Sequence, residues 1–120
     1  ICSNQSLLAL FVTIYLAIMG KKGLNEAQMN SFNATHYLFD KVTNLPKFKA
    51  VYNHDFFKDC LIETTLDPEL INEKLYEEGF LGPLSLGKFD PKRKQQLLFS
   101  ATEKRTKAEI DKLVAVLEVL

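Results

Sequence analysis

Apolar residues are laid down along this chain in two different rhythms. From Leu7 to Met19 they crowd every side of a helical wheel, with Thr13 the main polar interruption. A helix apolar nearly all round belongs in a place where it is covered on several sides. Cys2-Ser3-Asn4-Gln5 precedes it with capping chemistry, and Ser3 is the expected N-cap. Gly20, Lys21, Lys22 and Gly23 then supply stop signals, cations near a helix C-terminus and a glycine at its end. A second helix is predicted from Leu24 to Asn44, closed by Pro46. Leu24, Ala27, Ser31, Ala34, Leu38, Val42 and Leu45 form one stripe on it, and Met29, Phe32, His36 and Phe39 a neighbouring one. The two stripes together imply burial over a wide arc.

The rhythm then changes to a period of two. Phe48 to Tyr52 reads as a short strand and Asn53-His54-Asp55 as a turn. Phe57 to Leu66 reads as a second strand, with Cys60, Ile62 and Thr64 on one side and Asp59, Leu61 and Glu63 on the other. Asp67-Pro68 marks a helix start, an Asp cap followed by proline at the first helical position. That helix should carry Leu70, Ile71 and Leu75 on its apolar face and end at Gly79. Phe80 to Pro83 is a brief strand in this reading, and Leu84 to Arg93 a loop. Gln96 to Ala101, with an apolar core and no Gly or Pro, reads as a strand covered on both faces. Thr106 and Glu109 have the S/T-x-x-E spacing in which each side chain satisfies the other's backbone N–H at a helix start. Ile110, Leu113, Val114, Leu117 and Leu120 make the stripe of the last helix. The order α-α-β-β-α-β-β-α defines an α+β layer architecture: two long helices, then a small mixed or antiparallel sheet with helices on one face.

Composition narrows the class without naming a function. At 120 residues, 47% hydrophobic and 25% charged, the chain is one domain's worth of ordinary globular composition. Fifteen basic and fifteen acidic residues cancel, so no overall field draws it to nucleic acid or an anionic membrane. The apolar run of about 13 residues falls short of the ~20 that span a bilayer, and it lacks the basic region and cleavage site of a signal peptide. No membrane association is expected. Cys2 and Cys60 stand far apart with no Cys/His cluster, which argues against a zinc site or disulfide scaffold and fits a reducing, cytoplasmic setting. The uncovered first helix implies that this chain is part of a larger protein.

Candidate chemistry is sparse. There is no nucleophile elbow, P-loop, GxGxxG or HExxH motif, so neither a catalytic residue nor a metal ligand is assigned. His36 reads as a core or boundary histidine, His54-Asp55 as part of a turn, and Lys92-Arg93-Lys94 as a short basic run without interleaved aromatics. Most suggestive is the turn after the Gln96–Ala101 strand, where Thr102, Lys104 and Arg105 are candidates to contact an anionic group or a partner chain. Arginine's planar fork suits a carboxylate or a phosphate.

Several stretches converge on one family. Ile1-Cys2-Ser3-Asn4-Gln5 with its apolar helix, Gly20-Lys21-Lys22-Gly23-Leu24, and Ala34, His36, Tyr37 and Leu38 resemble the glycine-decarboxylating P-proteins of the glycine cleavage system. So do Phe56-Phe57, Asn72-Glu73, Gly79-Phe80-Leu81-Gly82, Leu86-Gly87 and above all Thr102-Glu103-Lys104-Arg105-Thr106. The likeness runs through essentially the whole chain, in order. It departs at Pro83, where the family loop usually has a second glycine.

The resemblance implies the C-terminal small domain of a fold-type-I pyridoxal-phosphate (PLP) enzyme. Residues 1–22 would be an interdomain helix leading from a large domain, and residues 23–120 the α+β small domain. Within the family it looks like subunit 1 of the bacterial two-subunit form. In that form the cofactor lysine belongs to subunit 2, so no lysine here takes that role and this stretch alone is expected to hold no cofactor and be inactive. The parent enzyme decarboxylates glycine through PLP and passes an aminomethyl group to the lipoylated H-protein. Implied partners are subunit 2 and the H-protein, with a dimer through the exposed first helix as a further option. A different class, a stand-alone interaction or regulatory module, predicts instead that Leu8, Phe11, Val12 and Tyr15 fold back onto the chain's own core.

Overall fold

The computed structural model describes residues 4–120. The expected Ser3 cap lies outside them, and at the start of α1 the Asn4 side chain accepts a hydrogen bond from the Ser6 N–H at 2.8 Å. Helix α1 spans Ser6–Thr43, β1 Phe48–Ala50, β2 Asp59–Thr64, α2 Pro68–Glu77, β3 Leu84–Ser85, β4 Gln96–Ser100 and α3 Lys107–Glu118. Two 3-10 turns, Leu86–Lys88 and Pro91–Arg93, lie between β3 and β4. The two predicted N-terminal helices adjoin without a loop. Gly20 alone breaks the helical path, at φ 57° and ψ −175°, a region open essentially only to glycine. Lys21 to Gly23 are helical, not a linker.

The strands form one antiparallel sheet in the order β1-β2-β4-β3. Its register pairs Cys60 with Phe99, Ile62 with Leu97 and Phe48 with Thr64. These residues are buried and make the inner face, against Leu38 and Val42 of α1, Ile71 and Leu75 of α2, and Ile110, Val114 and Leu117 of α3. The predicted alternation of Cys60, Ile62 and Thr64 is realised.

Among the described residues no α-helix lies across the other face. Leu61, Leu98 and Leu84 line up across β2, β4 and β3 there, and Leu84 is exposed. The expectation that the Gln96–Ala101 strand is covered on both sides is therefore corrected: Leu97 and Phe99 are buried but Leu98 only partly so. An apolar run reports the inner side of a strand faithfully and leaves the outer side open.

Local signals set most boundaries. Asp67 caps α2 by accepting from the Glu69 N–H at 3.0 Å, with Pro68 at the first position. The helix ends with Gly79 at φ 82°, the Phe80 N–H bonding the Leu75 carbonyl and the Gly79 N–H that of Tyr76; this is the Schellman closure that favours glycine. Of the predicted apolar face of α2, Ile71 and Leu75 are buried, together with Pro68, and Leu70 is exposed. Phe80 to Pro83 is not a strand. The edge strand is Leu84–Ser85, inside the stretch expected to be loop. Thr106 and Glu109 form the full reciprocal capping box of α3.

The molecule is elongated. Its radius of gyration is 17.2 Å, against about 13.5 Å for a compact chain of this length. The excess comes from α1, whose first buried side chain is Ser31.

Candidate functional site

The turn after β4 is built by two hydroxyls of α1. Thr35 is fully buried; its Oγ1 accepts from the Ala101 N–H at 3.2 Å and shares its proton between the carbonyls of Ala101 (3.0 Å) and Lys58 (3.1 Å). One turn earlier, Ser31 Oγ accepts from the Glu103 N–H at 3.0 Å and donates to the Ala27 carbonyl at 2.9 Å. Buried hydroxyls demand such partners. They pin the start of the turn to the helix.

The rest of the turn faces solvent. The Arg105 N–H bonds the Thr102 carbonyl at 3.0 Å, and the Lys104 N–H reaches Thr102 Oγ1 at 3.4 Å. Thr102, Lys104 and Arg105 thus lie together on one exposed corner. Arg105 Nη1 stands 3.6 Å from Glu109 Oε1, so its charge is partly answered within α3. The Glu109 carboxyl is held below its ordinary range by the Thr106 backbone N–H and hydroxyl, with Arg105 adding a smaller pull. The Lys104 ammonium makes no ion pair among the described residues.

The other titratable candidates resolve into structural roles. His36 is stacked between Phe32 (3.9 Å between centroids) and Phe56 (4.1 Å), and its Nε2 lies 3.0 Å from the Phe56 carbonyl oxygen. His54 stacks on Tyr52 at 5.2 Å, with Nδ1 3.0 Å from the Asp55 carbonyl oxygen. Burial pushes the Cys60 thiol up to about 12, with a further push from Asp59, so it stays protonated and inert. Among the described residues no three His, Cys, Asp or Glu side chains gather where a metal could bind.

A Schiff-base cofactor needs an enclosed lysine of lowered pKa. Every lysine here is exposed except Lys74, which is half-buried and ion-paired with Glu77 at 2.8 Å. That pair raises the Lys74 pKa and keeps it an ammonium. None of these lysines has the enclosure that a Schiff base to an aldehyde cofactor needs.

The largest uncovered feature is the front of α1. Leu7 is 80% exposed, Phe11 67% and Ile18 79%, and Leu8, Val12 and Tyr15 are exposed as well. These side chains do not fold back onto the core, as a self-contained module would require. An 18-residue window of α1 has mean hydropathy 1.7 with none of it buried. By length and composition, then, this helix is sufficient to cross a membrane, a longer apolar stretch than the about 13 residues read from the sequence.

Sequence reasoning missed two groups. Thr35 lies outside both predicted stripes, and nothing but its position one turn after Ser31 signalled it. Arg93, read as part of a basic run, is half-buried against a cleft, its Nε donating to Gln96 Oε1 at 2.7 Å. The Arg-to-Gln spacing of three was the available clue.

A four-stranded antiparallel sheet, helices on one face and a long helix leading in, is the small-domain architecture of fold-type-I PLP enzymes. Solved structures agree. The crystal structure of glycine decarboxylase (P-protein) of the glycine cleavage system, in inhibitor-bound form, superposes with a TM-score of 0.84 at 27% identity, over 99% of this chain and 27% of that one. A phosphoserine aminotransferase from Cytophaga hutchinsonii, at 15% identity and a TM-score of 0.66 over 90% of this chain, shares the fold. The family profile for the glycine cleavage system P-protein matches residues 1–117. The chain belongs to that family.

Among its relatives, a protein from Moorella thermoacetica named "Probable glycine dehydrogenase (decarboxylating) subunit 1" is 44% identical over 117 residues, which are 98% of this chain and 26% of the relative. One of the same name from Desulfitobacterium hafniense is 40% identical over 115 residues, 96% of this chain and 26% of the relative. The chain spans about a quarter of the length of these relatives.

Proposed function

We propose that this chain serves as the C-terminal small domain of a longer, cytoplasmic subunit 1 of a glycine-decarboxylating enzyme. In this reading the whole enzyme removes the carboxylate of glycine and passes the aminomethyl remainder to the lipoylated H-protein. PLP, held by subunit 2, supplies the electron sink when bound. This chain contributes shape and interface. The front of α1 packs under the rest of its own protein, so that its apolar surface is covered by protein and not by lipid. The corner of Thr102, Lys104 and Arg105 meets subunit 2 or an anionic group beside it. The observation that carries the reading is the family match over residues 1–117.

The test uses the complete protein together with subunit 2 and the H-protein. Arg105→Ala should weaken assembly on size-exclusion chromatography, or lower carbon dioxide release from glycine by about tenfold, the loss of roughly one charge-assisted contact. If both stay at the wild-type level, the corner has no part in the enzyme. An immunoblot of the native cells tests the wider reading. A band at this chain's own 13.7 kDa would favour the stand-alone module instead.

A further inference from the structure

We propose that the cleft on the uncovered face of the sheet is a binding site for short apolar carboxylates, held by Arg93. The proposal goes beyond the reading above and does not rest on it. The cleft has a volume of about 300 Å³ and is lined by Leu61 and Leu98 of the sheet, by Tyr52, Phe56 and Leu86 from the connecting segments, and by Phe39 of α1. That is the small end of the range for ligand pockets and suits a body of about six carbons.

Charge decides the head group. Arg93 is half-buried in this mostly apolar lining, which also holds His54 and Asp59, and no carboxylate among the described residues lies within 4.0 Å of it. Among the described residues its side chain hydrogen-bonds only the neutral amide oxygen of Gln96, at 2.7 Å. A guanidinium partly withdrawn from water and answered only by a neutral acceptor is costly. It keeps the planar donor pattern that carboxylates match.

The arginine is also held rigidly. Pro91 fixes the backbone at the start of its 3-10 turn, Asp90 Oδ1 accepts from the Lys92 N–H at 2.9 Å, and the Arg93 N–H returns to the Asp90 carbonyl at 2.9 Å. The preceding 3-10 turn closes onto this segment through Gly87, where a Cβ would meet Lys94 Cα at 2.7 Å. A pre-placed fork loses little entropy on binding. Asp59 also lines the cleft, but it is exposed and pairs in register with Ser100, four residues along β2 from Glu63, which pairs with Gln96 beside Arg93. It makes no ion pair with the arginine within 4.0 Å.

The experiment titrates the protein with hexanoate, hexanol and hexylamine, following 13C-labelled leucine and isoleucine methyls by NMR. Hexanoate should move the Leu61, Leu86 and Leu98 signals saturably, and at least about tenfold more tightly than hexanol or hexylamine. Arg93→Gln should weaken hexanoate by about tenfold and leave hexanol unchanged, with Ile62 and Ile71 signals confirming an intact core. Arg93→Lys, which keeps charge but loses the fork, should fall between. Equal response to hexanol, or hexanoate binding indifferent to Arg93→Gln, would overturn the proposal. If the variant fails to fold, the wild-type ranking of the three probes decides, and a preference for hexylamine would transfer the site to Asp59 and end the proposal.

Discussion

The two halves of α1 share one helix and obey opposite rules. Before Gly20 nearly every side chain is apolar and none of the described ones is buried. After it the helix is mixed, and its buried set is Ser31, Thr35, Leu38 and Val42, half of them hydroxyls. Hydrophobicity alone thus does not locate the core of this chain. What distinguishes the second half is a narrow stripe whose polar members have specific partners on the Ala101–Glu103 backbone. The first half has no such address, and its burial awaits a surface that the rest of the chain does not provide.

The largest contrast follows from cutting the same group from each half. Leu38→Ala empties space between α1 and the sheet and should cost about 2–5 kcal/mol. Leu8→Ala removes an exposed side chain and should change the stability of this chain by no more than about 0.5 kcal/mol. Paired urea melts read both, and a similar loss at Leu8 would mean that the front of α1 is packed in solution, which would erase the comparison.

Legibility in the sequence followed the range of each interaction. Gly20, Asp67-Pro68, Gly79 and the Thr106–Glu109 box act within a few residues; the last three mark element ends in the structure, while Gly20, read as a helix end, marks a kink inside α1. β3 escaped because its two residues are strand only through pairing with Leu97 and Leu98, a dozen positions on. Leu98 was misjudged for the same reason: whether a strand's second face is covered depends on where the helices settle, which no local pattern encodes. Leu70 looked like core because it neighbours Ile71, though helical spacing from Leu75 favours Ile71. The Thr102–Arg105 corner was recognisable as a turn, whereas its anchoring by Ser31 and Thr35 spans more than 60 positions of sequence. Arg93 was legible as a charge but not as a half-buried one.

A finer cut asks whether the hydroxyls do what separates the halves. Thr35→Val keeps the shape and leaves the buried Ala101 N–H without an acceptor. The cost should be about 1–3 kcal/mol, that of an unsatisfied buried donor. Thr13, in the front half, bonds only its own helix, to the Ala9 carbonyl at 2.8 Å, and is exposed. Thr13→Val should change stability by less than about 0.5 kcal/mol. Hydrogen exchange adds a local reading: the Ala101 amide should lose protection in Thr35→Val well before the central β2 amides do. Uniform loss across the sheet would mean that Thr35 acts by packing and not by holding the turn.

The smallest effect in this chain comes from the residue that joins the halves. Gly20 sits at φ 57° and ψ −175°, where a Cβ would meet no other atom within 4 Å but the backbone itself resists any side chain. Gly20→Ala therefore has two ways to respond. If the kink is kept, strain of about 1–3 kcal/mol is stored there. If the front half swings into line with the back half, the strain vanishes, and alanine's better helix propensity returns up to about 1 kcal/mol. Nothing in the described chain holds the front half at its present angle, so the helix should straighten. The melting temperature should then stay level or rise slightly while helical circular dichroism increases. In a protein where the front half is clamped under a large domain, straightening is forbidden and the same substitution should be destabilising. Opposite signs in the two settings would show that the angle at Gly20 is set by the covering surface. A destabilised Gly20→Ala in this chain alone would show that the kink is held from within, and the two halves of α1 would then be one packed unit after all.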